Sequence, residues 1–186
     1  MSNLTDFFPS GGGGGLTPKF QEFNASGTFT PSQALIDAGG YIELFLVAGG
    51  GAHESSTQGA YGGEVLIKKM YLNTTTGISI NIGSGAVVND TAGGDSIFLG
   101  ASAGGSDFTA KGGKVYYDAS GTDIESPSWG ANAANGAAGN GVFGYGAGGG
   151  ARTVGIGIYT AKANTGQGGR HNGAGASGYC LIKWYE

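Results

Sequence analysis

The chain of 186 residues has little of what several common protein classes depend on. Charged residues make up 12% of it, about half the usual share, and it contains four prolines and one cysteine. The single cysteine, Cys180, excludes an intrachain disulfide, and two histidines leave no Cys/His set for zinc. The net charge is −4 and Lys68-Lys69 is the longest basic run, which excludes the electrostatic footprint of a nucleic-acid-binding protein.

Targeting and membrane segments are also missing from the sequence. Residues 1–9 contain neither the basic region nor the apolar region of a secretory signal. The chain has no apolar stretch of the roughly 18 residues that a membrane-spanning helix needs. We therefore expect a protein that is made in the cytoplasm without a signal peptide.

Glycine is what the chain has in excess, with 42 of 186 residues. Aromatic residues account for 11%, and a disordered linker would have few of them. The glycines show no period of three and proline is scarce, which excludes collagen. These features indicate a folded domain with a modest core. Backbone hydrogen bonds and contacts between subunits therefore have to contribute to its stability.

Apolar, β-forming runs bounded by glycine predict an all-β fold. The predicted strands cover residues 41–48, 64–72, 78–82, 97–99, 115–117, 154–158 and 179–185, after a β-forming stretch around Phe20, Phe23 and Phe29. Residues 78–82 alternate cleanly, with isoleucines on one face. The sequence shows no sustained helical periodicity, so we predict an antiparallel β-sandwich-like domain with Leu46, Ile80 and Ile182 in its core.

Long glycine-rich inserts separate the strands, at residues 49–63, 93–113, 130–150 and 166–178. Such loops suit a compact domain if they are extended and hydrogen-bond to one another, because glycine lets polyproline-II-like segments pack backbone to backbone. Residues 1–18 are predicted to be an extended N-terminal arm, in which a short apolar peptide precedes a flexible spacer at residues 11–15. The glycine-rich β domain is predicted over residues 19–186.

Several short motifs follow one another in a characteristic order. They are residues 23–30 (FNASGTFT), 47–51 (VAGGG), 61–64 (YGGE), 94–98 (GDSIF) and 175–184 (GASGYCLIKW). In this order they resemble the glycine-rich domain at the tips of bacteriophage tail fibres and related virion appendages. The N-terminal NLTDFFP also resembles the start of a small phage structural protein, where such a leader attaches the subunit to the virion. The chain departs from that family because it has no long shaft, and its glycine runs are more interrupted than those of the polyglycine-sandwich adhesins of T-even-like phages.

The resemblance implies a phage virion protein, a tail-fibre or tail-tip subunit that attaches the particle to the host surface. The alternative is a head fibre or capsid decoration subunit without a receptor role. Implied partners are other virion proteins, further copies in a homo-oligomer that is a trimer by resemblance, and a bacterial surface glycan or outer-membrane protein. Leu4, Phe7 and Phe8 are the virion-anchor candidates, because they are the bulky apolar residues that precede the glycine spacer.

Aromatic, Arg and His side chains within the inserts are the receptor-contact candidates. Aromatic rings stack on sugar faces, and Arg or His bind hydroxyl or phosphate groups. The candidates are His53, Tyr61, Trp129, Phe143, Tyr145, Arg152, Arg170 and His171. The alternative for the two histidines is a solvated loop, and Phe143 and Tyr145 fit packing across a subunit interface equally well.

Patterns associated with catalysis occur without their structural context. Residues 100–104 (GASAG) match the G-x-S-x-G nucleophile elbow, but the residues after them cannot start a helix. The G-x-G-x-x-G patterns within residues 139–149 and 173–178 open no helix either. Asp95 and Asp107 lie 12 residues apart, whereas calcium-binding repeats need a period of about nine. We therefore expect no enzymatic activity, cofactor or metal.

Overall fold

The computed structural model describes residues 15–52, 60–87, 91–114, 161, 163–169 and 173–186. Within these ranges the chain forms eight strands and one short α-helix. In chain order they are β1 (Pro18–Phe23), β2 (Gly27–Phe29), α1 (Gln33–Asp37), β3 (Tyr41–Val47), β4 (Val65–Tyr71), β5 (Ile78–Asn81), β6 (Ser96–Leu99), β7 (Asp107–Ala110) and β8 (Tyr179–Tyr185).

The strands form two antiparallel sheets of four. The first sheet has the order β1-β8-β3-β4, and the second has the order β2-β5-β6-β7. The prediction of an all-β, antiparallel, sandwich-like fold is therefore confirmed. The pairing of β1 with β8 continues to Thr17 and Glu186, which exchange backbone hydrogen bonds of 2.6 and 3.1 Å. Backbone pairing of the first sheet therefore extends to Thr17, and the pairing includes Thr17 and Pro18 of the predicted arm, residues 1–18.

Large apolar side chains from both sheets meet between them. The predicted core residues Leu46, Ile80 and Ile182 are all buried there. They pack with further buried residues from the facing strands, among them Phe29, Ile42, Leu44, Ile78 and Phe98. Strand β5 shows the predicted alternation, because Ile78 and Ile80 are buried while its two polar residues are exposed. Alternate residues thus point inward, as a sheet with one buried face requires.

The sequence pattern did not predict the helix and one of the strands. Helix α1 has five residues, too few to show a periodicity. Its N-cap is Ser32, whose side chain accepts a 3.0 Å hydrogen bond from the Leu35 N–H. Strand β7 lies inside the region that was predicted to be an insert, because its sequence DFTA alternates too briefly to be recognised. The predicted strands at 115–117 and 154–158 lie outside the described residues.

Candidate functional site

Extended glycine-rich segments continue from one end of the sandwich. We call this set of seven segments the glycine lattice. The central segment, residues 48–52, continues β3. Six outer segments surround it, in the order 60–64, 111–114, 91–95, 82–87, 173–178 and 165–169. Of the seven segments, three are continuous with strands of the first sheet, namely 48–52, 60–64 and 173–178. Three others are continuous with strands of the second sheet, namely 82–87, 91–95 and 111–114. Residues 165–169 are continuous with neither sheet.

The central segment is hydrogen-bonded to all six outer segments. The N–H groups of Gly49, Gly50 and Gly51 donate to three of them, and the carbonyl oxygens of the same residues accept from the other three, at 2.7–3.1 Å. The acceptors are the carbonyl oxygens of Gly94, Ala176 and Tyr61, and the donors are the N–H groups of Gly113, Ala86 and Gly169. Each glycine at the centre of the lattice thus joins two different neighbours.

The contacts repeat every three residues. Ala48 and Gly51 donate to the same outer segment, at the carbonyls of Glu64 and Tyr61. The outer segments are also bonded to one another in a closed ring. A polyproline-II-type segment has three residues per turn, so successive residues face neighbours about 120° apart. The described parts of the predicted inserts at 49–63, 93–113 and 166–178 are therefore extended and hydrogen-bonded to each other, as the sequence predicted, whereas the insert at 130–150 lies outside the described residues.

Glycine is required in the lattice because neighbouring backbones approach too closely for a side chain. A Cβ atom built on Gly49 would lie 2.0 Å from the carbonyl oxygen of Ser84. On Gly50 it would lie 2.0 Å from the Gln167 oxygen, and on Gly51 2.7 Å from the Lys114 oxygen. Distances below about 3 Å do not occur between such atoms in folded proteins, so the positions accept no Cβ without movement of the neighbouring backbone.

Polar side chains join the two sheets where the lattice begins. Ser96 is fully buried, and its hydroxyl donates to the Val47 carbonyl at 2.7 Å and accepts from the Gly83 N–H at 2.8 Å. Asp95 accepts hydrogen bonds from the Lys111 ammonium at 2.9 Å and from the Gly112 N–H at 2.8 Å. These structural roles were not predicted from the sequence, although Asp95 directly follows a glycine pair and Ser96 begins strand β6.

Electrostatics at Asp95 favour its charged form. Burial alone would raise the pKa of the Asp95 carboxyl. The hydrogen bonds from Lys111 and from the Gly112 N–H, together with the Lys111 charge, outweigh that effect and lower the pKa below its ordinary value. The carboxylate is therefore a structural acceptor at the base of the lattice.

The glycine lattice has a distal end, which is the end farthest from the sandwich. There the Ala52 N–H donates to the Thr91 carbonyl at 2.9 Å, and the Ala60 N–H donates to the Gly169 carbonyl at 3.0 Å. These four residues and their neighbours flank residues 53–59, 88–90 and 170–172. Lys114 lies at the same end, because its carbonyl accepts from the Tyr61 N–H at 2.9 Å, and it precedes residues 115–160. Residues 53–59, 88–90 and 170–172 therefore have both of their flanking segments at the distal end. Residues 115–160 follow Lys114 at that end, but the chain comes back into the lattice through Asn164 and Gly166, which bond to Ser177 at the sandwich end.

The N-terminal arm enters the domain at the opposite end. Strand β8 begins next to the lattice and runs away from it, and Pro18 pairs with Tyr185 near the end of β8. The seven residues of β8 span roughly 23 Å. The sandwich therefore separates the start of the described chain from the distal end of the lattice.

Tyr61 belongs to the part of the chain that the structure describes, and it lies inside the molecule. Its side chain is 2% exposed, so the expectation that it contacts a receptor is wrong. The glycines around Tyr61 suggested an open loop, but they pack Tyr61 into the ring of outer segments. The other receptor-contact candidates and the anchor candidates lie outside the described residues: His53, Trp129, Phe143, Tyr145, Arg152, Arg170, His171, Leu4, Phe7 and Phe8.

The side chains that matched catalytic patterns have structural roles. Ser102 lies in a short 3-10 helix, Gly100–Ala103, and its hydroxyl donates to the Leu99 carbonyl at 3.0 Å. Strand β7 follows, so the strand–turn–helix context of a nucleophile elbow is not present there. Asp107 accepts from the Ala101 N–H at 2.9 Å, as a carboxylate in a turn does.

Cys180 is a buried free cysteine whose surroundings disfavour the thiolate. Burial raises the pKa of the Cys180 thiol to about 12. Among the described residues, no three or more His, Cys, Asp or Glu side chains are grouped as metal ligands. A search of the same residues finds no helix that is long and apolar enough to cross a membrane.

The fold and the site define a class of protein. It is a β-sandwich whose strand ends continue into a rigid bundle of glycine segments, with its N-terminal entry at the other end. No protein-family model, curated protein or solved structure matches the chain.

Proposed function

We propose that this protein is a phage virion structural protein, a tail-fibre or tail-tip subunit that attaches the particle to the host surface. The observation that carries the proposal is the polarity of the domain. The chain enters at the Pro18 end of the sandwich, whereas residues 53–59, 88–90 and 170–172 are flanked on both sides by the opposite, distal end of the lattice, where Lys114 also precedes residues 115–160. An attachment protein needs this separation, because one end has to bind the virion while the other meets the cell.

The lattice supplies a rigid support for recognition. Its hydrogen bonds join backbone atoms, so side chains at the distal end can change without loss of those bonds. Loops on a rigid scaffold are common recognition elements, because their ends are already ordered before a ligand binds. The proposed ligand is a bacterial surface glycan or outer-membrane protein, and the proposed contacts are the candidates within residues 53–59, 115–160 and 170–172.

Two further partners belong to the proposal. Leu4, Phe7 and Phe8 would bind a neighbouring virion protein, by docking in a groove or by adding to a sheet edge. The subunit would also associate with copies of itself. The proposal places the protein in the virion and includes no enzymatic activity, cofactor or nucleic-acid partner.

Adsorption of assembled particles tests the receptor role. We expect simultaneous replacement of Trp129, Tyr145 and Arg152 by Ala to spare folding and assembly, and to reduce adsorption to host cells. The matched control replaces Thr28, Ser79 and Thr109, three exposed residues on the outer face of the second sheet, and should adsorb normally. Normal adsorption by the first variant would instead favour a head fibre or decoration subunit. Failure of that variant to fold would show that these side chains pack in the interior.

Deletion of residues 2–10 tests the anchor. The described domain begins after this segment, so the deleted protein should fold with the same melting temperature. It should be absent from purified particles, as measured by immunoblotting. Incorporation at the normal level would contradict the anchoring role.

A further inference from the structure

The outer faces of the two sheets differ in chemistry. On the second sheet, the outward residues are mostly small and polar, with Thr28, Ser79, Asn81, Asp107 and Thr109 around Ile97 and Leu99. On the first sheet, by contrast, Phe20, Tyr71 and Ile67 are 69%, 67% and 54% exposed. Large apolar groups are costly to leave in water, and exposed patches of them usually mark a contact surface. The outer face of the first sheet therefore has the character of a contact surface, and that of the second sheet does not.

We call the outward surface of the first sheet the aromatic face. The strand register places its residues in rows that run across the sheet. One row is Phe20, Lys183, Glu43 and Lys69, and the next is Glu22, Leu181, Phe45 and Ile67. A shallow cavity of about 260 Å³ lies over the middle strands, between these two rows. The face therefore combines an apolar surface with charges, three of which lie in the first row while Glu22 lies at the edge of the second.

The charges in the first row alternate in sign. The Lys69 ammonium lies 3.2 Å from the Glu43 carboxylate, which also accepts a 3.1 Å hydrogen bond from the Tyr41 hydroxyl. Lys183 is beside Glu43 in the register but forms no ion pair within the described chain. The row thus offers an available positive charge next to a negative one.

We propose that the aromatic face is an interface between two copies of this chain, related by a two-fold axis that runs parallel to the strands between β8 and β3. This axis places β3 of one copy over β8 of the other. Glu43 then faces Lys183 of the second copy, and Lys183 faces Glu43 of the second copy.

The charge pattern selects this axis over the other two-fold arrangement. An axis that crosses the strands at the charged row places Glu43 over Glu43 and Lys183 over Lys183. Like charges placed opposite each other across an interface cost several kcal/mol. The parallel axis instead places opposite charges together twice.

The size of the face is sufficient for a specific dimer. Four strands about 4.8 Å apart, with seven residues of about 3.3 Å each, form a face of roughly 19 by 23 Å. Protruding side chains make the accessible area of the face larger than this flat outline. Two such faces therefore bury a total of about 1,000 Å² of accessible surface, the area at which specific interfaces begin. A C2 interface of this kind requires one self-complementary surface, and the aromatic face meets that requirement.

The arrangement has a consequence for the orientation of the copies. Because the axis is parallel to the strands, both glycine lattices lie at one end of the dimer and both arms lie at the other. The inference rests on the aromatic face and does not depend on the proposed function. It differs from the trimer that the sequence resemblance implies, so the stoichiometry distinguishes them.

Light scattering with size-exclusion chromatography and sedimentation velocity on the full chain test the proposal. We expect a dimer at micromolar concentration. Glu43→Lys and Lys183→Glu should each weaken dimerisation by at least about tenfold, because each places like charges together. The double variant with both changes restores the opposite pairs and should dimerise again. Thr109→Lys, a charge added to the outer face of the second sheet, is the matched control and should leave the dimer unchanged.

Circular dichroism of each variant establishes that it is folded. A wild-type monomer at about 100 µM would overturn the proposal, because the aromatic face would then be covered by residues 1–14 or by a different partner. A trimer, or a dimer that both single variants leave intact, would also overturn it. Loss of dimerisation in the single variants with recovery in the double variant supports it, since a merely destabilised fold gives no such recovery.

Discussion

Replacement of Gly50 by Ala is the most direct test of the glycine lattice. Gly50 lies at the middle of the central segment, and a Cβ there would be 2.0 Å from the Gln167 oxygen and 2.4 Å from its carbon. A contact of about 3.4 Å is ordinary between such atoms, so the segment at 165–169 has to move by more than 1 Å. Because both atoms belong to backbone, rotation of a side chain cannot relieve the contact.

The loss of stability follows from the hydrogen bonds of the segment that has to move. Movement of residues 165–169 breaks bonds made by that segment, in which the Gln167 carbonyl accepts from the Ala176 N–H at 2.8 Å and the Gly169 N–H donates to the Gly51 carbonyl at 2.7 Å. A buried group left without its partner costs about 1–3 kcal/mol, so two lost bonds give about 2–6 kcal/mol. Alanine also reduces the entropy of the unfolded chain, but this offsets only about 0.4–1 kcal/mol. A domain of this size has about 5–15 kcal/mol in total, so Gly50→Ala should be severely destabilised.

Guanidinium unfolding followed by tryptophan fluorescence measures this change. Trp184 is a suitable reporter because its ring packs edge-on against Phe29, with centroids 5.2 Å apart. The matched control is Gly15→Ala, where a Cβ would meet no atom within 4 Å, and it should stay within about 0.5 kcal/mol of the wild type. If the two substitutions have equal effects, the close approach of backbones is not what requires glycine.

Three further outcomes are expected. Truncation of the buried residues Leu46, Ile80 or Ile182 to Ala should each lower the free energy of unfolding by about 2–5 kcal/mol in the same assay, and a change below about 1 kcal/mol would show that the site is not core. The lowered pKa of Asp95 means that its contribution to stability is present above the unfolded value of about 3.9 and is lost as pH falls through the folded value. The melting temperature of wild type should therefore drop more than that of Asp95→Asn between about pH 5 and 2, and parallel curves would contradict this. Because burial raises the pKa of Cys180 to about 12, a thiol reagent at about pH 8 should label the unfolded but not the native protein; rapid native labelling would show that the sheet opens around β8.

Side-chain patterns explain how much of the fold was predictable. Strand β5 was recognised because Ile78 and Ile80 alternate with polar residues, and β8 because it is an apolar run bounded by glycine. Backbone pairing of Thr17 with Glu186 leaves no such pattern, so the sequence did not show that the first sheet extends to these two residues. Short elements such as α1 and β7 offer too few residues for a period to appear.

The sequence predicted that glycine segments pack backbone to backbone, but it did not predict which segment lies at the centre of the lattice. Glycine content indicated that backbones approach closely, yet the sequence does not distinguish residues 48–52 from the other glycine segments. Their central position follows from the two sheets, which bring β3 between its neighbours and align the strand ends around it. Tyr61 was misplaced for the same reason, because an aromatic residue among glycines has the same local sequence in a loop and in a packed ring.

The wide sequence separation of the paired segments has a consequence for synthesis of the chain. Residues 48–52 leave the ribosome early, but their six neighbours are drawn from residues 60–64 through 173–178. Strand β1 is made first among the strands and pairs with β8, the last. Structures dominated by such distant pairings fold slowly, since the loops between partners have to close first. Neither the lattice nor the first sheet can therefore be completed before β8 has been synthesised.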